Sequence, residues 1–195
     1  MPKIIGLTGG IGSGKSRIVK VFKALGVPCY IADQAAKDLM SSNLVVRQQI
    51  TTLLGEKAYE QNELNRAYIG HLVFNDPQKL ATLNAIVHPA VAEDFSTWVK
   101  QQEYPYVIKE VAILFETGGH KAVDQSILIT APKEIRLERA MQRDKTTREA
   151  ILARMNHQWE DEQRIPLAQH VIHNVNWKAT ESKVKQLHEY FLSLG

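Results

Sequence analysis

Cysteine is nearly missing from this chain. Cys29 is the only one in 195 residues, so an intrachain disulfide framework and a cysteine zinc site are both excluded. The simplest expected home is the reducing cytoplasm. No apolar run approaches the ~18 residues that span a bilayer, so no integral membrane protein is expected. The opening MPKIIGLTGG has too short an apolar stretch for a secretory signal. Aromatic residues make up only 7% and the net charge is only +3, which argues against a uniformly basic nucleic-acid binder. What remains, 44% hydrophobic and 23% charged residues, is ordinary globular composition and suits one domain.

The charge is uneven. The segment 133–154 holds Lys133, Arg136, Arg139, Arg143, Lys145, Arg148 and Arg154 against Glu134, Glu138, Asp144 and Glu149. A local basic zone points to an anionic ligand. Apolar runs at 3–8, 28–32, 104–114, 125–130 and 170–172 read as strands, the third broken by Lys109 and Glu110. Helical periodicity covers 15–25, where Gly26 stops it, then most of 44–103 without a convincing strand, the stretch after Pro132, 146–158 and 177–193. Strands alternating with helices imply a parallel sheet with ligands at the carboxyl ends of its strands.

Gly9-Gly10-Ile11-Gly12-Ser13-Gly14-Lys15-Ser16 satisfies G-x-x-x-x-G-K-[ST] between a strand and a helix. Such a loop aims successive backbone N–H groups at phosphates, and the helix adds its positive end. Lys15 would neutralise the β- and γ-phosphates of a nucleotide, and the Ser16 hydroxyl would ligate Mg²⁺. Asp33 follows the second strand and reads either as a helix N-cap or as a general base for an attacking hydroxyl. Glu110 and Glu116 flank Val111–Phe115; each reads as the polar end of a strand and loop or as an acid near Mg²⁺.

Arg136, Arg139 and Arg143 fall on one helix face and suit phosphate recognition. His170 and His173 would face opposite sides of a strand and form no metal site, and His88-Pro89 reads as a turn between two helices. Glu160-Asp161-Glu162 reads as a solvated face or loop, and Trp98, Trp159 and Trp177 as packing residues. Neither the guanine motif NKxD nor a DxxG switch of a regulatory GTPase occurs.

In order, IIGLTGGIGSGKS, Ala32-Asp33, Asn65-Arg66, Val73-Phe74, His88-Pro89, Leu114-Phe115-Glu116, Arg139-x-x-x-Arg143-Asp144, Arg154-x-x-x-Gln158 and Asn174 span nearly the whole chain. Together they resemble the dephospho-CoA kinase family. The resemblance implies a three-layer α/β P-loop kinase fold with a five-stranded parallel sheet. It also implies, within a single domain of residues 1–195, a helical substrate-binding insertion at about 43–104 and a lid at about 139–160. The implied reaction moves the γ-phosphate of ATP to the ribose 3′-hydroxyl of dephospho-CoA, with Mg²⁺ and with no nucleic-acid or membrane partner. The alternative is another P-loop metabolite kinase acting on a nucleoside monophosphate or a small hydroxy acid.

By the same resemblance Asp33 is the base, with Lys15 and Arg143 also catalytic. Gly10, Ile11, Gly12, Ser13, Gly14, Lys15, Ser16, Arg17 and Arg139 serve ATP. Arg66, His88, Leu114, Phe115 and Glu116 line the acceptor side beside Asp33. Three positions depart from the family pattern: Arg17 for the usual Thr, Glu110-Val111-Ala112-Ile113-Leu114 for Asp-x-Pro-Leu-Leu, and Ala168-Gln169 for Ala-Asp.

Overall fold

Lys3–Gly9 forms strand β1, buried from Ile5 onward, because an apolar run with few polar breaks suits a strand covered on both faces. The computed structural model describes residues 1–74 and 76–194; the side chain of Phe74, one residue of the resemblance, lies outside the described set. Among them β1 is followed by α1 (Lys15–Ala24), β2 (Cys29–Ile31), α2 (Ala32–Ser42), α3 (Leu44–Leu54), β3 (Tyr59–Glu60), β4 (Glu63–Leu64), α4 (Arg66–Phe74) and α5 (Pro77–Lys100). Then come β5 (Tyr106–Glu110), β6 (Gln125–Thr130), α6 (Lys133–Asp144), α7 (Arg148–Met155), α8 (Asp161–Arg164), β7 (His170–His173) and α9 (Trp177–Leu192).

Five strands form one sheet in the order β2-β5-β1-β6-β7, every pairing parallel. On one face Ile18, Val19 and Phe22 of α1 and Val184, Leu187 and Phe191 of α9 pack with Ile5, Leu7, Tyr106, Ile108, Ile127, Ile129 and Ile172. Leu114 covers Gly6 of β1, within 2.8 Å of where a Cβ there would stand.

The chain divides into two compact units, residues 1–31 with 102–195 and residues 32–101. The second takes in α2 as well as the helices between 43 and 104. Its core is Val46, Ile50, Leu54, Ala58, Ile69, Leu83 and Val87.

Several expectations need correction. The stretch 44–103 does contain strands, the short antiparallel hairpin β3–β4. Its turn is Gln61-Asn62, both at positive φ (50° and 68°), the handedness that closes a two-residue hairpin. His88-Pro89 is not a turn; α5 runs unbroken through it for 24 residues. Proline inside a helix removes one hydrogen bond and costs about 3 kcal/mol. Here the carbonyl left without its helical partner belongs to exposed Ala85, where water can reach it, and buried Leu83 and Val87 hold the helix to its core. The third strand stops at Glu110, and Val111–Gly118 turns away.

Candidate active site

The phosphate loop leaves the carboxyl end of the central strand. Gly12 and Gly14 turn at φ 76° and 100°, values that glycine alone takes at little cost, and Gly14 leads into α1. Lys15 Nζ donates to the Gly9 carbonyl at 2.7 Å and stands 3.9 Å from Glu110. The sequence left Glu110 either as an ordinary strand end or as an acid near Mg²⁺; the structure sets it, buried, beside the loop lysine. The register pairs Glu110 with Leu7 of β1 and with Ile31 of β2. The carboxyl end of β2 therefore lies beside that of β5, which separates it from the loop's strand β1.

Asp33 is not an N-cap. It lies exposed in the first turn of α2, where a negative charge favours the positive helix end. Ser16 is exposed at the start of α1. Ser13 is fully buried; its carbonyl accepts from Asn174 Nδ2 at 2.8 Å, and Asn174 Oδ1 accepts from Thr180 at 3.1 Å. Asn174 ties the loop to the end of β7. Ile11 N–H donates to Gln158 Oε1 at 2.9 Å.

The three arginines of α6 part company. Arg136 is buried and meets Glu160 and Asp161 at 3.7 and 3.5 Å. Arg139 donates to the Asn174 carbonyl at 2.9 Å, beside the phosphate loop's own tether. Arg143 is exposed and grips Asp144, which also takes Arg154. Those two hydrogen-bonded guanidiniums hold the Asp144 carboxyl well below the usual carboxylate range. Arg17 stacks on the Trp177 ring, its guanidinium carbon 3.5 Å from the ring centroid.

The acceptor-side candidates are also divided. Arg66 and His88 are exposed in the second unit, at the start and in the middle of their helices. Leu114 and Phe115 are 1% and 2% exposed, so their side chains pack inward. Glu116 pairs with Arg164, and Glu116 Oε1 also accepts from Trp159 N–H at 3.4 Å.

Sequence reasoning missed Arg164, which is fully buried; Glu160 and Glu162 are exposed as expected, and only Asp161 turns inward. Glu160 and Gln163 form a capping box at α8, and Asp161 meets both buried arginines. Burial pushes the Asp161 carboxyl up, and the two guanidiniums pull against that shift. Glu160 stands where a capping box usually has Ser or Thr, so the spacing to Gln163 gave little signal in the sequence.

Among the described residues no three His, Cys, Asp or Glu side chains gather into a metal cage. Mg²⁺ in kinase sites is held by one or two side chains together with substrate phosphates, and the exposed Ser16 hydroxyl at the start of α1 suits that arrangement. Among the described residues no helix is long and apolar enough to cross a membrane.

Comparison with known proteins agrees with this geometry. A family profile described as dephospho-CoA kinase matches residues 3–179. A dephospho-CoA kinase of Chlorobium chlorochromatii is 38% identical over 98% of this chain and 95% of its own length. A crystal structure from Thermus thermophilus superposes with a TM-score of 0.89 at 31% identity, covering 97% of each chain. A dephospho-CoA kinase from Campylobacter jejuni gives a TM-score of 0.74 at 25% identity, covering 99% of this chain and 98% of its own. A lysine-bearing phosphate loop on a five-stranded parallel sheet, matched along almost the full length, leads to one conclusion: the chain belongs to the dephospho-CoA kinase family.

Proposed function

We propose that this protein transfers the γ-phosphate of ATP to the ribose 3′-hydroxyl of dephospho-CoA, giving coenzyme A and ADP. The observation that carries the reading is Lys15, set at the end of the central strand between the Gly9 carbonyl and Glu110. Family membership supplies the acceptor.

The chemistry is mostly positioning and charge neutralisation. Backbone N–H groups of Gly12 and Gly14–Ser16 and the Lys15 ammonium receive the phosphates. Arg17 and Arg139 serve the nucleotide, and Arg143 approaches the transferring group from the 139–160 segment, which acts as the lid. Asp33 takes the proton as the 3′-oxygen attacks the γ-phosphorus, and the bond to the β,γ-bridging oxygen breaks to release ADP. Ser16 would hold Mg²⁺, which offsets phosphate charge. Arg66 and His88 bind the acceptor through their exposed side chains. Both substrates are small and water-soluble, and the lone cysteine fits a reducing cytoplasm.

The test is an acceptor panel with ATP and Mg²⁺: dephospho-CoA, nucleoside monophosphates and small hydroxy acids. A 3′-phosphorylated product from dephospho-CoA alone is expected. Preferred phosphorylation of another acceptor would replace this reading with a different metabolite kinase.

A further inference from the structure

Gly10 lies in the phosphate loop, yet the loop pattern leaves its position free, and its φ is not positive, so its conformation does not demand glycine. Space does. A Cβ at Gly10 would run into the Arg136 guanidinium and stand 3.3 Å from Arg164 Nη1. A Cβ at Gly12 would strike the Arg136 carbonyl. Two arginines thus press on the first turn of the loop from within the protein, their side chains 5% and 0% exposed.

Their counter-charges reach outward. Glu116 Oε1 accepts from Arg164 Nε at 3.2 Å and from Arg164 Nη2. Asp161 lies 3.5 Å from Arg136 and 3.7 Å from Arg164. Glu116 also holds the Trp159 N–H, and the neighbouring Gln158 amide holds Ile11 N–H. One cluster therefore touches the loop, the turn after β5 and the stretch that follows α7.

Burying two cations beside each other is costly, and apolar replacements of buried ion pairs are often as stable. The cluster is better explained by what it positions. We infer that Arg136 and Arg164 are positioning residues for ATP: they brace the Gly10–Gly12 turn through the space a side chain at position 10 would fill, and Glu116 and Asp161 lock that brace to the Gln158-Trp159 segment. The inference rests on the phosphate-loop reading above.

A double-mutant cycle on the full chain tests it, with Gly10→Ala, Arg136→Met and the pair. ATP affinity with Mg²⁺ is read by calorimetry, and KM for each substrate and thermal melts are read alongside. Gly10→Ala is expected to weaken ATP about 10-fold in the wild-type background but under about threefold beside Arg136→Met, because the two sites are in contact. KM for dephospho-CoA should stay within about twofold. Equal penalties in both backgrounds overturn the brace.

Should Arg136→Met fail to fold, Arg164→Lys and Glu116→Gln read the other side of the cluster at nearly constant volume. Each is expected to raise KM for ATP about 10-fold while kcat changes less than about threefold. An unchanged KM for ATP in both, with only a lowered melting temperature, overturns the inference. A wild-type chain that binds no ATP would overturn the phosphate-loop reading itself.

Discussion

Every polar or charged residue buried among the described residues lies in the sheet-bearing unit: Thr8, Ser13, Glu110, Ser126, Thr130, Arg136, Arg164, Asn174, Thr180 and His188. The helical unit of residues 32–101 buries an apolar core alone and carries Asp33, Arg66 and His88 on its surface. Burying polar groups is unfavourable unless each finds a partner, so their concentration marks where geometry has to be fixed. The sheet-bearing unit holds a rigid cradle. The helical unit presents side chains that can be changed with little damage to its core.

That contrast can be broken or sharpened by experiment. Lys15→Ala should have the largest effect, cutting phosphoryl transfer by about 10⁴-fold or more in steady-state assays, since a fixed cation at the phosphates is lost. Retained turnover would remove the cradle from the mechanism. Asp33→Asn should lower kcat by about 10²–10⁴-fold while the melting curve stays in place, because the side chain is exposed. Wild-type turnover by that variant would take the base assignment away.

Ile50→Ala, in the apolar core of the helical unit, should destabilise by about 2–4 kcal/mol in denaturant titrations. Arg66→Ala and His88→Ala should each raise KM for dephospho-CoA by about 10-fold, leaving ATP affinity and the melt unchanged. A matching loss of ATP affinity would erase the division between the two surfaces.

The smallest effect concerns pH. Burial holds the His170 imidazole below its ordinary value, so the unfolded chain binds that proton first. Stability should therefore fall as pH drops below about 6.5, and His170→Phe should flatten that slope in melts across pH 5 to 7. An identical slope in both proteins would assign the loss elsewhere.

Much of this was legible in the residues. Spacing alone located the phosphate loop, because Gly12, Gly14 and Lys15 do local jobs in a local sequence. The apolar runs at 3–8, 125–130 and 170–172 named three sheet strands for the same reason. What spacing missed depends on distant partners. Arg164 meets Glu116, 48 residues away, and Glu110 meets Lys15, also distant in the chain. Pro89 misled because local chemistry favours a break, and the packing of Leu83 and Val87 outweighed it. The β3–β4 hairpin escaped because two residues per strand carry no periodicity.

The pairing of β1 carries a consequence for how this chain is made. Lys3 aligns with Tyr106 and Ile5 with Gln125, so the earliest-synthesised strand has no neighbour until more than a hundred further residues have left the ribosome. At ~5–20 residues per second that is a wait of about 5–20 seconds. The intervening helices of 32–101 have their own apolar cluster to gather meanwhile. The cradle for ATP, carried by the earliest of the five sheet strands, takes shape only after the strands that flank it have been made.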